Sequence, residues 1–257
     1  MYDPSSPMLR PVTTAEGVPA PEAKARFAED RLLDAVIWCE IEPGEVVTEA
    51  DMMDRFGLTR AAARSGLTRL GYDGWATPQP RTGWLVLPVT GALIGQVLDA
   101  RRVAEPALGD LKLSADSKAE LIQIASVIEA LYGRTEAGAV ASFRHYVNRI
   151  DGLMLQSINP FTARHLRKLW HHSARITHFL EGVGDRQLFH RVEIRELVQA
   201  ILDGDGEAIR LEREKLIEEQ ETFFLRQLLK SDTPLMSGNG SQARPKPTTS
   251  TKNRREA

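Results

Sequence analysis

Apolar residues recur at helical spacing from Arg26 to Glu40, where Leu32, Leu33, Val36, Ile37 and Cys39 form one stripe, and EPGE at 42–45 then breaks the pattern. A first helix is predicted there. A second should begin after Thr48, because TEAD at 48–51 is a capping-box sequence whose hydroxyl and Asp51 carboxylate satisfy the free amides of a helix start. Met52, Met53 and Phe56 are its inward residues, Gly57 ends it, and Thr59 is placed to cap a third helix running to about Tyr72. GWATPQP and GWLVLP then read as two short strands around Arg81-Thr82, a hairpin with Arg81 and Gly83 near its tip, where Gly83 would let the backbone approach a groove closely.

Pro88 and TGA at 90–92 make a short connector, after which the chain reads as helix up to Leu229. Ile94, Leu98, Arg101, Glu105 and Leu108 fall on one face, and further helices are expected at about 117–133, 136–157, 160–181, 184–203 and 205–230. The predicted fold is mainly α: an N-terminal winged helix-turn-helix over 26–88, followed by an all-α bundle of six or seven helices over 89–232. Residues 1–25 and the mildly basic tail 233–257 are rich in Pro, Ser, Thr, Gly or Ala and are expected to be disordered.

Composition narrows the function classes. A chain of 257 residues with 42% hydrophobic and 26% charged positions can bury a core in two modest domains. Its net charge of −2 says nothing about partners, so a polyanion signal must come from where the charges sit. The single cysteine, Cys39, excludes an intrachain disulfide and a multi-cysteine zinc site, and within LLDAVIWC it reads as a small buried apolar residue. No apolar run reaches the roughly 18 residues a bilayer requires, and the first residues lack a basic-then-apolar leader. The expectation is a cytoplasmic protein with no membrane partner.

The charge signal lies on the third helix. Ala63, Leu67 and Leu70 make its buried stripe, leaving Arg60, Ala61, Arg64, Ser65 and Thr68 on or near the open face. No acidic residue occurs between Arg55 and Arg69, so these cations have no local partner in sequence. A helix of this kind fits a major groove while the hairpin tracks the neighbouring minor groove, which predicts double-stranded DNA as the partner. The expected DNA-contacting residues are Thr59, Arg60, Arg64, Ser65, Thr68, Arg69, Arg81, Thr82 and Gly83. Gly66 interrupts that helix, at a cost of roughly 1 kcal/mol against alanine, and predicts a softer recognition helix.

In the second half, Arg101 and Glu105 point inward one turn apart, and two readings stay open: an internal ion pair, or a guanidinium holding a carboxylate- or phosphate-bearing effector in bidentate fashion. Six histidines occur, His145, His165, His171, His172, His178 and His190. WHHSARITH suggests a metal, yet no Glu or Asp lies between Phe161 and Leu180, so solvated or effector-lining histidines are expected. Phosphate-cradling glycine loops, G-x-S-x-G and paired carboxylate–histidine motifs are absent, so no enzyme is expected.

The segment 31–88, with I-x-P-G, T-E-A-D, G-L-T-R, an Arg four residues on, L-T-R-L, D-G-W and R-T-G-W-L-V in order, resembles the DNA-binding domain of the GntR family. That resemblance implies DNA contacts by Arg60, Arg64 and Gly83; Ser65-Gly66 departs from the family's usual Glu-Ala. DARRVAEP, SINPF and VEIRELVQAILDGDGEAI resemble the FCD effector domain of the family's FadR-type branch. Most such domains hold a divalent metal through one Asp and three His, and those positions fall here on Tyr146, Ile150, Ile194 and Leu216, none of them a useful ligand. The resemblance therefore implies no metal cofactor and a more apolar effector pocket around Arg101, Tyr146, Ile150, Asn159, Ile194 and Leu216. The expected protein is a homodimeric repressor that binds a palindromic operator and responds to a small acidic metabolite. The alternatives are an architectural DNA-binding dimer without ligand response, or a helical metal-dependent enzyme.

Overall fold

A computed structural model of the chain describes residues 21–182, 188–189 and 194–230. The expected disorder of the tail and most of the N-terminal arm, and His190, lie outside the described residues. The first helix, α1 (Pro21–Ile37), starts five residues earlier than expected. Pro21 suits that start, since its fixed φ is helical and its missing N–H removes no intrahelical bond in the first turn. The helix also stops before Glu40, because Cys39 adopts a left-handed φ of 56° that a helix cannot pass through.

Local signals set the next elements, β1 (Val46–Val47), α2 (Glu49–Phe56) and α3 (Arg60–Tyr72). Thr48 accepts from the Asp51 amide at 3.2 Å, and Asp51 accepts from the Thr48 amide at 2.7 Å, closing the capping box on α2. Gly57 ends α2 in the left-handed conformation, and Thr59 caps α3 by accepting from the Ala62 amide at 3.3 Å. Strands β2 (Ala76–Gln79) and β3 (Gly83–Val86) form the expected hairpin. β1 completes a three-stranded antiparallel sheet in the order β1-β3-β2 and was not foreseen, since two residues carry no alternation to detect.

Two glycines permit close packing. A Cβ on Gly66 would lie 2.6 Å from Leu32 Cδ1 and 3.3 Å from the Ala28 carbonyl, so this glycine lets α3 pack tightly on α1. The residue serves core packing, and Leu32, Val36, Ala63, Leu67 and Leu70 close around it. Gly83 has a φ of 127°, and a Cβ there would collide with the Val47 carbonyl. Its freedom serves the close approach of β3 to β1 inside the sheet.

The helical half comprises α4 (Gly91–Ala104), a 3-10 turn over Glu105–Asp110, α5 (Ala115–Glu129), α6 (Ala137–Gln156), α7 (Pro160–Glu181), α8 (Arg195–Asp203) and α9 (Gly206–Lys230). Pro106 cannot supply the next α-helical N–H, so α4 ends at Ala104 and the chain tightens, while Glu105 and Leu108 remain buried. The helix expected over 184–203 is helical only from Arg195 among the described residues. One core gathers Leu121, Phe143, Met154 and Leu166; a second joins α4, α7 and α9 through Leu98, Ile176, Leu180, Ile217 and Phe224.

The winged-helix head docks on α7. Trp38 stacks on His178 with ring centroids 4.1 Å apart, and Trp75 stacks on His172 at 3.9 Å. Arg175, between them, donates to the Leu87 carbonyl of the linker, while the Cys39 thiol donates to the Arg175 carbonyl at 3.6 Å. Burial pushes that thiol up to about 11, so Cys39 is a half-buried packing residue and a poor nucleophile.

Candidate functional site

Arg60, Arg64 and Arg69 of α3 are all exposed, with Arg60 and Arg64 one turn apart, and so are Arg81 and Thr82 at the hairpin tip. Arg81 takes a left-handed φ of 69°, and the Thr82 amide donates to the Gln79 carbonyl at 3.2 Å, closing the tip turn. The expectation that no acid neighbours these cations fails for two of them. Arg64 donates from Nε to Glu49 Oε1 at 2.7 Å and from Nη2 to Oε2 at 3.3 Å, a pair formed across the helix-turn-helix between residues fifteen apart. Arg69 donates to Asp73 at 2.8 Å one turn on. The Arg64 hydrogen bond, with a smaller contribution from the charge of Arg60, holds the Glu49 carboxyl below its ordinary range.

These pairs do not tuck the arginines away. The Arg64 side chain is 69% exposed and that of Arg69 59%. Ion pairs so open to water contribute little to stability and are screened by salt, so a phosphate can replace the carboxylate. Ser65 donates to Glu29 of α1 at 2.9 Å, and Thr68 is half-buried.

Inside the helical half, a cluster of opposite charge is fully enclosed. Glu105 accepts from Arg101 Nε at 2.5 Å, from Arg213 Nε at 2.7 Å and from the Trp170 indole at 2.9 Å. Arg101 also donates to Ser173 at 3.0 Å and to Gln220, and Arg213 donates to Asp151 at 3.0 Å. Burial alone would raise the Glu105 carboxyl, but the guanidiniums of Arg213 and Arg101 outweigh it and hold the group at about 2. Two cations meet two carboxylates, so the cluster is neutral. Of the two readings of Arg101, the internal pair is therefore present, and its Nε and Nη1 are already engaged.

This cluster walls a cavity of about 380 Å³ formed by α4, α6, α7 and α9 and by Ile37 and Trp38 of the head. Arg101 and Leu216 line it; Tyr146, Ile150, Asn159 and Ile194 are not among its lining residues. The stripe of α6 that faces the cavity is Val147, Asn148, Asp151, Gly152 and Leu155, which leaves Ile150 in the hydrophobic core. Asn159 instead caps α7, accepting from the Phe161 amide at 2.9 Å. Ile194 lines a separate groove of about 440 Å³ between α5 and α8.

The donor set does not suit a divalent metal. Asp151 is bound by Arg213, His178 Nδ1 donates to the Ile37 carbonyl at 2.9 Å, and among the described residues no three His, Cys, Asp or Glu side chains gather as ligands. Burial, with a smaller push from Arg167, lowers His171 to about 4, so it lines the cavity as a neutral imidazole. Arg213, Asp151, Trp170, Gln220 and Trp38 were missed at the level of sequence. A signal existed for two of them: Ile209, Arg213 and Leu216 share one face of α9, and Val147, Asp151 and Leu155 one face of α6.

No protein-family model matches the chain, and no curated protein matches it. Among solved structures, E. coli McbR/YncC aligns with a TM-score of 0.61 at 17% identity, covering 80% of this chain and 98% of that one. A candidate GntR transcriptional regulator from Rhodococcus sp. RHA1 aligns at 0.57 with 19% identity, covering 79% and 98%. The chain shares the fold of these two structures, and the alignments cover about four fifths of it.

Proposed function

We propose that the chain is a DNA-binding transcriptional regulator of GntR type, acting by binding and not by catalysis. The observation that carries this reading is the set of exposed guanidiniums on the helix-turn-helix and its hairpin, Arg60, Arg64 and Arg69 on α3 and Arg81 at the hairpin tip. Thr59 contributes its cap, fixing the start of α3 so that the first-turn arginines reach base edges or phosphates. Thr82 lies at the tip with Arg81, whereas Gly83 shapes the hairpin that presents them.

The finer reading is a cytoplasmic repressor of the FadR-like branch. It binds a two-fold symmetric operator as a homodimer, because the few contacts of a single head give too little affinity and specificity. A small acidic metabolite in the cavity of the helical half shifts the heads, provided it binds the two arrangements with different affinity. The test is selection of genomic DNA fragments by the full chain. Enrichment of a palindromic sequence, lost in Arg64→Ala with unchanged thermal unfolding, is the expected outcome. Failure of the wild-type chain to enrich any sequence contradicts the reading.

A further inference from the structure

The cavity is not confined to the helical half. Ile37 and Trp38, at the end of α1, form part of its wall, so an occupant touches the DNA-binding head itself. Trp38 is held there by its stack on His178, and the His178 ring in turn donates to the Ile37 carbonyl. Any compound that presses on Trp38 therefore acts on the contact that docks the head on α7.

The lining also limits the chemistry of an occupant. Four aromatic side chains, Trp38, Phe143, Trp170 and Phe189, contribute to it, and its volume lies at the small end of the roughly 300–1,000 Å³ typical of ligand sites. Most of its charge is already cancelled. Arg101 and Arg213 are matched by Glu105 and Asp151, and Arg144 forms a two-point pair with Glu181. Arg167 on α7 is the exception: it lines the cavity, is exposed, and has no hydrogen bond or ion pair among the described residues. One unmatched guanidinium beside an aromatic interior suits a single carboxylate on a ring-bearing body.

We propose that this cavity binds an aromatic monocarboxylate, with its carboxylate on Arg167 and its ring against Trp38, so that the ligand bears directly on the DNA-binding head. The charge partner is then Arg167 at the exposed side of the cavity, and the Arg101 cluster serves as a neutral hydrogen-bonding wall. The proposal deepens the regulator reading and rests on it for its consequence, but the binding event is testable alone.

The experiment titrates the full chain with phenylacetate, 4-phenylbutyrate and indole-3-acetate, with phenylacetamide as the uncharged match and hexanoate as the ring-free one, by calorimetry and tryptophan fluorescence. At least one aromatic acid is expected to bind, with the amide weaker by roughly tenfold or more. Arg167→Ala should erase the difference between acid and amide, and Arg167→Lys should restore part of it. Trp38→Leu should weaken the aromatic acids while leaving hexanoate unchanged. No binding by any aromatic acid, amide binding equal to acid binding, or equal binding of hexanoate overturns the proposal. Operator binding is measured separately on the same samples. Acids that bind a chain without DNA affinity would sink the regulator reading alone, and DNA binding without acid binding would sink this proposal alone.

Discussion

Arginines occur in two settings in this chain, and the contrast explains how one residue type can be both available and locked. On α3 the guanidiniums of Arg64 and Arg69 have carboxylate partners, yet more than half of each side chain stays in water. In the helical half, Arg101, Glu105 and Arg213 are each 2% exposed. A surface pair is exchanged for phosphate with little loss, whereas separating a buried pair leaves a charge in a medium that cannot solvate it. Partner count therefore does not distinguish an available arginine from a locked one. Burial does.

The sharpest way to break this contrast is at its buried pole. Glu105→Ala strips both guanidiniums of their shared carboxylate and should cost about 3–5 kcal/mol of stability, read by chemical denaturation of the full chain. At the exposed pole, Arg64→Ala should leave the unfolding midpoint unchanged while lowering operator affinity by roughly tenfold to a hundredfold. Equal effects of the two variants on stability would dissolve the distinction.

How much of this was readable in advance follows the range of each interaction. The capping box of Thr48 and Asp51, the stop at Gly57 and the cap at Thr59 are local, and all were legible. The Arg64–Glu49 pair was not, because scanning the segment between Arg55 and Arg69 cannot see a carboxylate brought in from the preceding helix. The wing hairpin was legible from its turn, but the two-residue β1 was not. The inward Arg101 and Glu105 were found from their spacing, while their partners Arg213 and Asp151 come from helices whose alignment only packing decides. Tyr146 and Ile150, which the family resemblance had implied, are not among the cavity's lining residues, where α6 contributes Asn148 and Asp151.

Between the two poles lies the docking contact of head and α7, where the comparison can be sharpened by pH. Burial, with smaller pushes from Arg175, Lys168 and His171, lowers His172 to about 4, and His171 is lowered to about 4 as well. Both imidazoles are neutral in the fold. As pH falls from about 6.5 to 4 the unfolded chain takes up protons that the folded chain refuses, so stability falls through that window. Asp34, raised to about 7 by burial, acts in the opposite sense across this whole window, but two histidines outweigh one carboxyl. His172→Phe, which keeps a ring against Trp75, should flatten the fall in melting temperature between pH 7 and pH 5. The smallest effect belongs to Glu49→Gln: releasing Arg64 from its carboxylate should raise DNA affinity severalfold without moving the unfolding midpoint.

The central claim, that the outward arginines of α3 meet a polyanion, is tested most directly by the salt dependence of DNA binding. Each phosphate neutralised contributes about 0.9 to the slope of log affinity against log salt. Arg60→Ala combined with Arg64→Ala should make that slope shallower by about 2 if both side chains contact phosphate. A slope and affinity unchanged from the wild-type chain would contradict the account.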